Sequence, residues 1–343
     1  MAGIKRKKLR RTWQRWSILG AVIFILAVVG FRWTANAPVM PSQEKEYALY
    51  VHDTGLTTAE VLQSFFAKEN LHSPAALEAL NALRRNPIAQ RGHYTITAAT
   101  GRMQLLRKLE FGYEDPVWLR MRGYQSREDI VEGWVAQFDY PKDSAMKALE
   151  VLGFEQLVPN SYQVYWSYAP EALVEYLQRA HAAFWNAERE GRAAHLKLSP
   201  REVVILASIV QAETKQAEEW PRVAALYLSR LHMGKRLEAD PTAVFAYKQV
   251  YPNTGVIRRV THVISGIDHP YNTYRNTGLP PGALATVEPQ VVDAVLSAQP
   301  NGELYMCADP QRPGFHVFAR TYSAHLQNAA RYHASLNRRG IRR

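Results

Sequence analysis

The chain of 343 residues has one cysteine, Cys307. It can form no internal disulfide, so each domain must be held by its core alone. Acidic residues are missing from both ends. None occurs in residues 1–43, which carry eight Lys/Arg, and none in the last ten, which carry four (Arg338, Arg339, Arg342, Arg343). The formal net charge of +11 therefore belongs to the termini. Setting those twelve cations aside from 42 leaves 30 basic against 31 acidic residues, a near-neutral body that argues against a nucleic-acid-binding face. His316 and His325 have no metal-ligand spacing with each other or with any Cys/Asp cluster, so neither a metal nor a cofactor is expected. Internal repeats, low-complexity segments and heptad runs are missing too.

The basic head does contain one long apolar run. WSILGAVIFILAVVGF, residues 16–31, follows seven cations (Lys5, Arg6, Lys7, Lys8, Arg10, Arg11, Arg15), with Trp13, Trp16 and Trp33 at its margins and only Arg32 close behind. About 20 apolar residues cross a hydrocarbon core, and flanking cations stay on the cytoplasmic side. The pattern predicts a cytoplasmic basic tail over 1–15, a single transmembrane helix over 16–33, and everything from 34 onward outside the cytoplasmic membrane. A cleaved signal peptide is the competing reading, with Thr34-Ala35-Asn36-Ala37 as its weak cleavage site.

Residues 34–46 have the composition of a short linker. YALYV then alternates as a strand, Thr57 and Glu60 make a T-x-x-E capping box, and Ser73-Pro74 opens a second helix. GHYTIT reads as a strand, TGRMQLLRKLEFG as a helix and PVWLRMRG as a strand, giving a small α+β module over 47–122. Residues 123–337 are mainly helical with some strands: SREDIVEGWVAQF, DSAMKALEVLGF and one helix through PEALVEYLQRAHAAFWNAERE. Residues 157–168 and 268–289 read as loops, and 338–343 as a basic tail. The fold class is α+β behind an N-terminal membrane helix.

Ser199-Pro200-Arg201-Glu202 is a strong helix start. From it Leu206, Ile209, Val210, Glu213 and Ala217 fall on one face, with Arg201, Ser208, Gln211 and Lys215 on a more polar side. Glu213 is thus a carboxyl near the inner end of an apolar helix. It could be satisfied structurally, by Arg222 or Arg230 or by solvent at the helix end. Alternatively, apolar surroundings could keep it protonated near neutral pH, ready to donate to a leaving group. Periodicity leaves both open.

Six ordered motifs narrow the choice. ASIVQAET, VAALYLSRL, LEADPT, YNTY, GLPPG and PNSY resemble, in type and order, segments of the endolytic murein transglycosylases, the YceG-like family. The resemblance covers nearly the whole chain and implies that the 47–122 module is LysM-like. It also implies that Glu213 is the catalytic acid/base. Donation to the oxygen linking MurNAc to GlcNAc, then attack of the MurNAc C6 hydroxyl on C1, would leave 1,6-anhydro-MurNAc ends. The partners implied are peptidoglycan strands, the cytoplasmic membrane and wall-synthesis enzymes. The family's first acid is Gln211 here, its Asn is Ser229, and its P-D-T-Y acid is Asn160.

The substrate-binding set carried over is Glu219, Asp240, Tyr271, Asn272, Thr273 and Tyr274. Several have a structural alternative. Asp240-Pro241 reads as a helix cap, Glu219 as a solvated helix acid, and Gly278 to Gly282 as a rigid turn. Two other functions remain at this point: an inactive glycan-binding scaffold, and a water-using muramidase with Glu219 or Asp240 as a second carboxylate.

Overall fold

The protein is described by a computed structural model covering residues 2–40, 46–52, 54–69, 73–257 and 259–338. Most of the expected linker beyond Met40, and Arg339, Arg342 and Arg343 of the basic tail, lie outside the described residues.

Helix α1 (Ala2–Asn36) runs unbroken through the basic head and the apolar run. Its stretch Arg15–Asn36 has a mean hydropathy of 2.1 and is long and apolar enough to cross a membrane. At 1.5 Å per residue those 22 residues span about 33 Å, against a hydrocarbon core of about 30 Å. Ile23, Phe24 and Leu26 on it are exposed.

The chain forms two compact units, one of residues 1–118 with 163–167, the other of 119–162 with 168–343. In the first, β1 (Tyr47–Val51) leads to α2 (Thr58–Lys68), α3 (Ala75–Leu83) and β2 (Gly92–Ile96), then to α4 (Arg102–Phe111) and into β3 (Val117–Met121), whose last three residues belong to the second unit. β1 and β2 pair antiparallel, Tyr47 opposite Ile96 and Val51 opposite Gly92. The capping box at α2 forms as the sequence predicts: Glu60 N–H donates to Thr57 Oγ1, and Thr57 N–H donates to Glu60 Oε2 at 2.8 Å. Leu77, Tyr94, Leu105, Leu106 and Leu109 fill the core. The start of the expected linker is also part of it. Ala35, Val39 and Met40 are buried there, and Val39 N–H donates to the Thr100 carbonyl.

The second unit begins with α5 (Arg127–Phe138) and α6 (Lys142–Leu149). Beyond α6 two expectations fail. Residues 157–168 are not all loop: β4 (Asn160–Val164) pairs with β3, its Tyr162 and Val164 turned inward in period two. Aromatic residues on both faces hid that alternation. The single long helix from Pro170 is two, α7 (Pro170–Phe184) and α8 (Ala187–His195). Asn186 caps the second by accepting from Arg189 N–H, a side-chain bond that competes with continued helix.

α9 (Pro200–Glu213), α10 (Trp220–His232) and α13 (Pro289–Ser297) pack together as the core of this unit. Between them run α11 (Asp240–Val250), the short α12 (His262–Ser265) and the irregular 268–288 segment. β5 (Tyr305–Ala308) and β6 (His316–Ala319) form a third two-stranded ladder against α14 (Tyr322–Arg338). α9 is not amphipathic in place. Every residue from Val203 to Val210 is buried, Ser208 included, so the middle of its polar side faces protein rather than solvent. Each aliphatic side chain sealed there contributes roughly 1.5–3 kcal/mol, which fixes the helix as a rigid post.

Candidate active site

α9 stops at Glu213 because Thr214 leaves the helix for extended backbone. The turn after it is pinned three ways. Thr214 Oγ1 donates to Glu219 Oε2 (3.1 Å), Gln216 N–H donates to Thr214 Oγ1 (3.1 Å), and Trp220 Nε1 donates to the Thr214 carbonyl (3.1 Å). Glu213 is therefore carried on a rigid helix end.

It sits on the wall of an open cleft of about 1670 Å³. One side of the cleft is a stripe of α11, Asp240, Val244, Phe245 and Lys248, spaced as one helical face. The lining also includes Glu155, Arg201, Tyr271 and residues 281–285. Glu213 keeps a partly exposed surface while its carboxyl is deprived of most of its water. Tyr227, buried in α10, donates its hydroxyl to Glu213 Oε1 at 2.5 Å. Loss of hydration pushes the Glu213 pKa up to about 7; the Tyr227 hydrogen bond opposes this and the Asp240 charge adds to it.

The structural alternative for Glu213 meets an obstacle. Arg222 binds Glu303 at 2.6 and 2.9 Å, and Arg230 is paired with Glu238. Neither arginine is directed to Glu213.

The other residues drawn from the sequence fall into two groups. Asp240 and Tyr271 join Glu213 on the cleft. Asp240 is not the helix cap its sequence suggests. Ala239 occupies that position without a side-chain cap bond, and Asp240 Oδ1 instead accepts from the Tyr274 hydroxyl at 2.6 Å. Tyr271 stacks at a tilt on Phe245, ring centroids 4.7 Å apart, and desolvation raises its pKa.

Asn272, Thr273 and Glu219 are not brought to the cleft. Asn272 is fully buried, its Nδ2 donating to the Ser265 and Ile267 carbonyls. Thr273 Oγ1 accepts from Ala239 N–H and shares a bond with Thr242 Oγ1 (2.7 Å). Thr273 holds the loop to the start of α11, and Asn272 holds it to the end of α12. Glu219 is buried rather than solvated: Oε1 accepts from His316 N–H at 2.7 Å, and Oε2 lies 3.0 Å from His316 Nδ1. It ties the turn after Glu213 to β6.

Sequence reasoning missed Tyr227 and Glu155. Tyr227 reads as one more apolar helix position, and only its contact reveals the hydroxyl's use. Glu155 lies far upstream; Arg201 Nε donates to its Oε1 (3.0 Å) and Arg201 Nη2 to the Pro281 carbonyl (2.5 Å). The glycine that closes GLPPG has a local reason as well. A Cβ on Gly282 would lie 2.6 Å from the Tyr271 hydroxyl, so the close approach of that ring requires glycine. Ser229 donates to the Ala225 carbonyl within its own helix.

Residues 51–331 match the model of the YceG-like family. The chain is 30% identical over 141 residues to an endolytic murein transglycosylase of Bacillus subtilis (strain 168), a match covering 41% of this chain and 37% of that protein. It is 25% identical over 135 residues to an endolytic murein transglycosylase of Streptococcus pneumoniae serotype 2 (strain D39 / NCTC 7466), covering 39% and 24%. The matched stretch is thus little more than a third of the first curated relative's length and about a quarter of the second's. A solved structure of a yceG-like protein, lmo1499, from Listeria monocytogenes aligns with a TM-score of 0.51 at 18% identity. It covers 83% of this chain and 99% of that one, a likeness of fold.

Proposed function

The chain belongs to the YceG-like family, and on that premise we propose that it is a membrane-anchored endolytic peptidoglycan transglycosylase with Glu213 as its single acid/base. The observation that carries this reading is the state of Glu213: a carboxyl on an open cleft, with a phenol as its partner, raised to about 7. Such a group holds a proton near neutral pH and can still release it.

Tyr227 occupies Oε1, which leaves Oε2 free to carry the proton. Glu213 gives that proton to the glycosidic oxygen as the MurNAc C1–O bond breaks. The substrate's 2-acetamido group stabilises the positive charge developing at C1. The C6 hydroxyl then attacks C1 and returns its proton to Glu213, closing the 1,6-anhydro ring without water. Between these steps the Tyr227 hydroxyl stabilises the carboxylate. Asp240, acting through its charge, keeps the proton on Glu213 before the reaction begins.

The β1–α2–α3–β2 order with β1 antiparallel to β2 supports a LysM-like glycan-binding role for residues 47–122. The apolar stretch Arg15–Asn36, with seven cations ahead of or at its start, supports an anchor with a cytoplasmic N-terminus and an extracytoplasmic cleft. Placed there, the enzyme would cut nascent strands beside the wall-synthesis enzymes and so end their elongation.

A muramidase reading has one observation in its favour, that Asp240, one of the acids it would use, lies on the same cleft as Glu213. Mass spectrometry of peptidoglycan digested by the purified chain separates the two. Anhydro-MurNAc ends support the transglycosylase; reducing ends that have gained water make the protein a hydrolase. Loss of both products in Glu213→Gln, with the fold retained, is expected in either case.

A further inference from the structure

Three residues on the polar side of α9 are tied to one segment of chain. Arg201 Nη2 donates to the Pro281 carbonyl, and Ser208 Oγ accepts from Leu284 N–H at 3.0 Å. Gln211 then engages twice: its Nε2 donates to the Thr286 carbonyl (3.0 Å) and its Oε1 accepts from Glu288 N–H (2.9 Å). The other side of that segment is also held. Thr286 N–H donates to the Tyr124 carbonyl (3.0 Å), and Thr286 Oγ1 accepts from Tyr124 N–H (2.7 Å). Gln211 is therefore the tie nearest the acid, two residues before it, between the helix carrying Glu213 and a segment that lines the same cleft.

The tie needs one donor and one acceptor on the same side chain. An amide supplies both at every pH; a carboxyl supplies both only while protonated. Ionised, it would still accept from Glu288 N–H but would set its negative oxygen against the Thr286 carbonyl.

We propose that Gln211 is a positioning residue that locks residues 286–288, which continue the 281–285 lining of the cleft and end at Glu288 on it, to the helix bearing Glu213, and that its being an amide keeps the lock closed independently of pH. The catalytic part of this inference rests on Glu213 being the acid; the lock itself does not. The titratable groups around position 211 are Glu213 on α9, Lys215 in the turn after it, Arg127, Glu128 and Asp129 on α5, Tyr124, and Glu288.

Two substitutions in the full chain, kept in detergent, test it. Gln211→Met retains length and neutrality but removes both bonds. We expect kcat on peptidoglycan to fall about tenfold with KM changed less than about twofold. Hydrogen exchange of the peptide containing Glu288 N–H should speed up by a similar factor. Gln211→Glu should approach wild-type kcat at about pH 5 and fall severalfold below wild type by about pH 6.5, where Glu213 of the wild type still holds its proton. A purely electrostatic effect of the new carboxylate has the opposite sign: it would hold the proton on Glu213 more tightly and extend activity to higher pH. The proposal is overturned if Gln211→Met keeps wild-type kcat and exchange, or if Gln211→Glu only extends the alkaline range. If wild type and Glu213→Gln both fail to cut glycan while exchange at Glu288 still responds to Gln211→Met, the lock stands and the transglycosylase reading falls.

Discussion

Two acids six residues apart mark the end of α9 and the turn after it, and they are treated in opposite ways. Glu219 is buried and surrounded by donors: His316 N–H, His316 Nδ1 and the Thr214 hydroxyl. Glu213 opens on a cleft and has the Tyr227 hydroxyl as its hydrogen-bond donor, with the Asp240 charge nearby. Burial alone does not make an acid reactive. A carboxylate given several donors becomes a joint in the structure. One stripped of water and given a single phenol holds a proton it can lend.

The sharpest way to break this contrast is to neutralise each acid in turn. Glu213→Gln should lower glycan cleavage by a factor of about 100 to 10,000. It should also change stability with a definite sign. The folded pKa of about 7 lies above the value of 4.5 for an unperturbed glutamate, so the group's contribution is complete below about 4.5 and lost as pH rises toward 7. The glutamine variant should therefore match wild type at about pH 4 and exceed it by up to roughly 3 kcal/mol above pH 7, measured by denaturant melts. Glu219→Ala should do the reverse. It should destabilise by roughly 2–4 kcal/mol, because His316 N–H and the Thr214 hydroxyl lose their acceptor, with a smaller fall in kcat as the turn loosens.

Two milder substitutions sharpen the account of Glu213 itself. Asp240→Asn removes a charge that keeps the proton in place, so the alkaline limb of the rate profile should move down in pH and the neutral-pH rate fall roughly three- to tenfold. Tyr227→Phe removes the bond that favours the carboxylate. The alkaline limb should then move up by about half to one pH unit, with little change of fold.

The element order was largely legible, because caps announce themselves. Thr57/Glu60 and Ser199/Glu202 form the reciprocal bonds their spacing predicts. Glu213 was legible as an anomaly, an ionisable group at an apolar position, and the motifs around it gave it a role. What was not legible depends on partners distant in sequence. Nothing near Asn272 or Thr273 says that their side chains are consumed by carbonyls and by α11, although their chemistry suits a sugar site equally well. The polar side of α9 resembles a solvated face until residues 281–288 are placed against it. The break at Asn186 and the strand at Tyr162 were concealed by local signals that read equally well as helix and as loop.

The central claim is that Glu213 begins the reaction protonated at neutral pH. The pH dependence of kcat/KM for peptidoglycan cleavage by the wild-type chain tests it most directly, since that profile titrates the free enzyme's essential acid. The account predicts activity held through weakly acidic pH and falling with a midpoint at about 7. Activity that instead rises through about pH 4.5 to a plateau at alkaline pH would mean that Glu213 works only when ionised, and would contradict it.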